Sequence, residues 1–139
     1  MPTKVGQASP HFSWHECECH SDPPVPVPDE YLENCRAVLR EAERIRRVCG
    51  NKPLTMTRLY STRSHNESIP GHAKDSQHLY ANAADLLPPE GMTQEQFARL
   101  IQMLANEPES RIRFIKADYA DGHVHLDCRR RSTLIVEGL

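Results

Sequence analysis

Ser76-Gln77-His78-Leu79-Tyr80-Ala81-Asn82-Ala83-Ala84-Asp85 is followed further along this chain by His123-Val124-His125-Leu126-Asp127. Together the two stretches supply two imidazoles and a carboxylate, a three-ligand set that suits a catalytic zinc with one position left for water. A structural zinc site would fill its fourth place with a protein ligand, most often sulfur. Water on an open metal position is a usable nucleophile near neutral pH, so the pattern points to hydrolysis. If the second stretch is a strand, alternation puts His123, His125 and Asp127 on one face. Val124 and Leu126 then face the other way, toward a core.

The spacings alone are weak, because a chain with eight histidines produces such pairs by chance. The residues around them carry more. The frame Ser-x-His-x-x-x-x-Ala-x-Asp followed by His-Val-His resembles the zinc peptidases of the D-alanyl-D-alanine carboxypeptidase type. These are grouped with lysostaphin-like endopeptidases and the hedgehog signalling domain. His11-Phe12-Ser13-Trp14-His15-Glu16 resembles the family's N-terminal segment. Pro53-Leu54-Thr55-Met56-Thr57 resembles the strand that leads into its Tyr-Arg-Ser and His-Asn segment, here Tyr60 to Asn66. The likeness runs over roughly residues 11–130.

The resemblance implies that His78, Asp85 and His125 bind one zinc per chain. It also implies that His123, the first histidine of His-x-His, sits beside the metal and either takes a proton from the attacking water or stabilises developing charge. Relatives often carry a carboxylate three residues before the ligand histidine; Gly122 stands there in this chain. Asp121, one residue earlier, either substitutes for it as a catalytic group or only forms the turn. Asp127 is placed to orient a ligand imidazole. The family's substrate-binding arginine has two candidates, Arg58 and Arg63, since Tyr60 is followed by Ser61-Thr62. An arginine fits that task because its fork pairs bidentately with a peptide carboxylate. Ser76 joins the substrate-binding candidates and is placed to hold the His78 turn by local hydrogen bonding. Ala81 stands where relatives carry glycine.

Composition bounds the rest. A chain of 139 residues is expected to form one domain, a zinc peptidase domain over 11–139 behind a flexible lead over 1–10. A net charge of −2 gives no footprint for nucleic acid. Arg129-Arg130-Arg131 reads as a solvated strand end. No stretch approaches the roughly 20 apolar residues needed to span a bilayer. Met1 to Pro10 lacks the apolar segment of a secretory signal, so action on a cell wall would require lysis or a dedicated delivery machine. The five cysteines match no zinc-finger spacing, and a disulfide framework is not expected. His15, Cys17, Cys19 and His20 form either a second metal site or a polar loop with two free thiols.

Pro23 to Pro28 reads as an extended connector. Asp29 is expected to cap a helix to about Val48 that Gly50 ends. Leu54 to Leu59 reads as a strand, Ser61 to Asp75 as a loop, and Ala83 to Leu87 as a short buried strand. Thr93 is expected to cap a helix to about Asn106. Arg111 to Ala117 and His123 to Cys128 read as strands joined through Asp121-Gly122. Mixed elements without regular βαβ alternation predict an α+β fold, a small, mostly antiparallel sheet with flanking helices.

Two functions fit this reading. The first is a monomeric zinc peptidase acting on peptidoglycan stem peptides, as DD-carboxypeptidase or endopeptidase. The second is a zinc-stabilised cell-wall or protein binding module with little turnover, which the missing upstream carboxylate would favour.

Overall fold

A computed structural model describes residues 4–139. Two helices pack on one face of a five-stranded sheet whose order is β3-β4-β6-β5-β7. The strands are β3 (Met56–Arg58), β4 (Ala83–Leu86), β5 (Phe114–Lys116), β6 (Val124–Asp127) and β7 (Ile135–Glu137). All neighbours are antiparallel except β5 and β7, which run parallel. The expected α+β class and mostly antiparallel sheet are thus what the chain forms.

Helix α2 (Leu32–Val48) buries Cys35, Val38, Leu39, Ala42 and Ile45, the i, i+3, i+4, i+7 stripe of a helix lying on a core. Asp29 does not cap it. A 3₁₀ turn over Asp29–Tyr31 precedes the helix, and the Asp29 carboxylate instead pairs with Lys4 at 3.1 Å. Helix α4 (Gln94–Ala105) opens with a reciprocal capping box between Thr93 and Gln96, and buries Phe97, Ala98, Ile101 and Leu104. Each fully buried leucine, isoleucine or phenylalanine contributes about 1.5–3 kcal/mol, so these two stripes hold the helices to the sheet.

Three further expectations change in the structure. The lead is shorter than expected: Gln7–Ser9 forms β1, paired with β2 (Phe12–Ser13), while residues 1–3 of it lie outside the described residues. Glu43 of α2 ties this hairpin down by accepting from Ser9 Oγ at 2.6 Å and His11 N at 2.8 Å. A single helical turn, α1 (Trp14–Cys17), follows β2. The polar run Ser61–Asp75 is not all loop, because Thr62 caps the short helix α3 (Arg63–Glu67). Cys17 and Cys19 are buried in the core rather than in a polar loop, and all five cysteines are free.

Register positions the site. β4 pairs with β6 so that Asp85 lies opposite His125 and Ala83 opposite Asp127. Ala84, Leu86, Val124 and Leu126 point the other way into the core. A slip of one residue would exchange these faces, so the buried side of the sheet fixes the polar side. Extended across the sheet, the same row reads Arg58, Asp85, His125, Lys116 and Glu137.

Ala81 ends the turn that carries His78, at φ 52° and ψ 34°, with no exposed surface. This left-handed conformation costs an L-residue about 1–2 kcal/mol, and glycine escapes it at an entropic cost of about 0.5–1 kcal/mol. Ala81→Gly should therefore raise stability by about 0.5–1 kcal/mol and the melting temperature by a few degrees. A lower melting temperature in thermal denaturation would show that the Ala81 methyl contributes more by packing than the backbone loses by strain.

Candidate metal centre

Ser76 starts a 3₁₀ turn over Gln77–Tyr80 by accepting the His78 N–H on its Oγ at 3.2 Å. That turn lowers His78 onto the open face of the sheet. Its Nδ1 donates to the Leu59 carbonyl at 2.8 Å, which commits the ring proton to that side. Nε2 then faces Asp85 Oδ1 at 3.1 Å with a lone pair. His125 is held in the same manner from its other nitrogen. Its Nε2 donates to Asp127 Oδ2 at 2.8 Å, leaving Nδ1 directed at the same Asp85 Oδ1 at 3.0 Å. These tautomers follow from the hydrogen-bond partners.

Three electron-rich atoms thus converge, and something positive has to lie among them: a proton or a metal cation. Ligand atoms about 2.0–2.1 Å from a tetrahedral zinc stand roughly 3.3–3.4 Å apart. The observed separations of 3.0 and 3.1 Å need only a small expansion. His78, Asp85 and His125 form the one group among the described residues whose donor atoms could hold a metal ion. His15 pairs with Glu18 and Cys19 Sγ accepts from the Thr62 N–H, so the alternative second metal site does not assemble there.

The electrostatics match this arrangement. Burial pushes His78 below the usual imidazole range, with Asp85 offsetting part of the effect. Burial acts on His125 in the same direction, but its bonds to Asp127 and Asp85 win and raise it to about 9. Asp85 is held well below the carboxylate range despite its burial, because both imidazoles face it. Asp127 is fully buried, and burial opposes its charge. The Arg129 fork, with Nε and Nη2 each 2.7 Å from an Asp127 oxygen, together with His125 outweighs that opposition. Asp127 is therefore the partner that fixes the His125 ring, as an outer carboxylate does for an imidazole that binds a metal.

His123 lies just before β6 and reaches the same spot from the side, its Nε2 3.6 Å from Asp85 Oδ2. Its Nδ1 donates to Asp121 Oδ1 at 2.6 Å. Asp121 is largely exposed and points at His123 rather than at the three converging atoms. Tyr119 stacks on the His123 ring at 4.0 Å, and Gln94 holds the loop by donating to the carbonyls of Tyr119 and His123. Burial, together with Asp85, raises the Tyr119 hydroxyl to about 12, so it stays protonated.

Of the two arginines, Arg58 faces the cleft on β3, opposite Asp85. Its guanidinium donates to Ser61 Oγ at 2.7 Å and Asn66 Oδ1 at 2.6 Å. Arg63 is exposed at the start of α3 and does not line the cleft. Ser76 lines the cleft, yet its hydroxyl is engaged in capping the His78 turn. Tyr119, Lys116 and Arg129 also line this space, about 790 Å³ in volume, and no motif marked them.

Removal of either imidazole should abolish stoichiometric metal binding, whereas Asp127→Asn should weaken it about 10–100-fold while leaving both ligands in place. Metal analysis and competition with a chelator check this for His78→Ala, His125→Ala and Asp127→Asn. One equivalent of metal retained in both alanine variants would contradict the ligand assignment.

No curated protein matches the chain. The model of the family described as Peptidase M15 matches residues 12–127, which contain every cleft residue discussed here except Arg129 and Glu137. The chain belongs to the Peptidase M15 family, whose members of the zinc D-Ala-D-Ala carboxypeptidase type gave the resemblance its name, and it is accordingly assigned as a metallopeptidase.

Proposed function

We propose that this chain is a monomeric zinc peptidase that hydrolyses D-amino-acid peptide bonds in bacterial peptidoglycan stem peptides or their crosslinks. The observation that carries the reading is the convergence of His78 Nε2 and His125 Nδ1 on one Asp85 oxygen, at 3.1 and 3.0 Å, on the floor of an open cleft. The donor set of two nitrogens and one carboxylate fits zinc with a free position. Bound there, zinc would supply Lewis acidity to the scissile carbonyl and acidify a water molecule.

The chain's own groups manage the rest. His123, with Nδ1–H directed to Asp121, presents Nε2 to the cleft, where it can take a proton from the attacking water and return it to the departing amine. Asp121 supports this role through His123, which accounts for a working site with Gly122 in the usual carboxylate position. The stacked Tyr119 limits rotation of the imidazole. Arg58 faces the cleft as a half-buried cation, and desolvation lowers its pKa, with Asp85 opposing. A peptide carboxylate would be a favourable partner for it. Arg63 is the lesser candidate, because it stands outside the cleft. Among the described residues no helix is long and apolar enough to cross a membrane.

Incubation with muropeptides and mass analysis of the products tests the activity. Loss of terminal D-Ala identifies a carboxypeptidase, separation of crosslinked dimers an endopeptidase, and the absence of product a binding module. His123→Ala should keep metal and fold while turnover falls by roughly 10²–10⁴-fold. Wild-type turnover in that variant would remove His123 from the proton transfers. Arg58→Ala should lower kcat/KM without loss of metal, whereas Arg63→Ala should leave it near wild type.

A further inference from the structure

Beside the cleft lies a second groove of about 710 Å³ whose wall is dominated by arginine. Arg111 and Arg113 come from the segment leading into β5, and Arg129, Arg130 and Arg131 from the segment leaving β6. Antiparallel pairing of β5 with β6 brings these two segments side by side, which is why a chain of net charge −2 concentrates cations here. Against them the groove presents one acid, Glu33.

The arginines are not equally committed. Arg129 forks onto Asp127, its guanidinium carbon 3.9 Å above the Phe114 ring, and Arg113 donates to the carbonyls of Ser110 and Ile112. Arg111, Arg130 and Arg131 are exposed and make no ion pair among the described residues. The consecutive arginines are therefore more than a solvated strand end: the first braces the site, and the next two face an open groove.

The groove is also continuous with the cleft. Gln77 and Arg129 line both spaces, and Gln77 is the residue before His78. An extended peptide lying over the three converging atoms can pass Gln77 and Arg129 and enter the groove within a few residues, at about 3.3 Å each.

We propose that the arginine groove binds a carboxylate-bearing part of the same peptide whose scissile bond lies over the metal centre, so that the protein selects acidic peptides with free carboxylates. The proposal rests on the peptidase reading for the direction of the chain, but its own chemistry is the pairing of guanidinium forks with carboxylates. A phosphate-bearing polymer would satisfy the same cations. Continuity with a peptide-cleaving cleft favours the peptide.

The test uses the zinc-loaded full chain and two synthetic stem-like peptides identical except that one has its side-chain carboxylates free and the other has them amidated. Binding is measured by calorimetry and hydrolysis by product analysis. The wild type should bind the free acid about 10-fold more tightly than the amide, the preference shrinking as salt is raised. Arg111→Gln, Arg130→Gln and Arg131→Gln combined should erase the preference while hydrolysis of the amide stays at wild-type level. These three side chains are exposed, so an unchanged melting temperature confirms that the variant folds. Equal affinity for the two peptides in the wild type, or the same preference in the triple variant, overturns the proposal. So does an oligomer of glycerol phosphate that binds the wild type more tightly than the free acid and loses that affinity in the triple variant. Preference without cleavage supports the groove and removes the peptidase reading; cleavage without preference does the reverse.

Discussion

Two imidazole nitrogens stand 3.1 and 3.0 Å from one buried carboxylate oxygen, and such a meeting is repulsive unless positive charge lies among them. Much of the surrounding structure answers this constraint. The Leu59 carbonyl takes the proton side of His78, and Asp127 takes that of His125, so both rings turn their lone pairs inward. Asp127 would itself be a costly buried charge without the Arg129 fork. Arg129 in turn lies over Phe114, on the strand that pairs with β6. The site is thus a chain of fixed partners running from Phe114 on β5 to the point where a cation would sit.

The sheet makes this possible because register decides which side chains share a face. Val124, Leu126, Ala84 and Leu86 are apolar and find the core beneath helices α2 and α4. Their neighbours Asp85, His125 and Asp127 have no choice but the other face, where Asp85 and His125 line the cleft. His123 joins from the preceding loop, which Gln94 of α4 holds by two carbonyls. Hydrophobic packing on one side therefore sets polar geometry on the other.

The parts of this arrangement that were legible in the sequence are those with a period. The stripes of α2 and α4, the alternation of β6 and the frame around His78 and Asp85 pointed to an α+β fold and to the ligand set. Elements of two or three residues, such as β1, β2 and β7, are too short for a period and form only because a partner strand is available. The short helix α3 hid within a polar run because Thr62 and the Arg58–Asn66 bond hold a single turn that composition does not reveal. Arg58 and Arg63 could not be separated without the register of β3. Tyr119 matched no motif, and its stacking on His123 depends on the path of a loop. The pairing of Arg111 and Arg113 with Arg130 and Arg131 is likewise a product of strand pairing, invisible to a linear scan of charge.

On the proposed reading, Asp85 Oδ1 marks the place of a metal ion rather than of a proton shared with His125. Crystals grown with zinc and measured on both sides of the zinc absorption edge test it most directly. The account predicts one anomalous peak per chain, about 2.0–2.2 Å from His78 Nε2, from an Asp85 carboxylate oxygen and from His125 Nδ1, with Asp127 still bonded to the far side of His125. No peak among those three atoms at saturating zinc, with His125 and Asp85 remaining in direct hydrogen-bond contact, would contradict it.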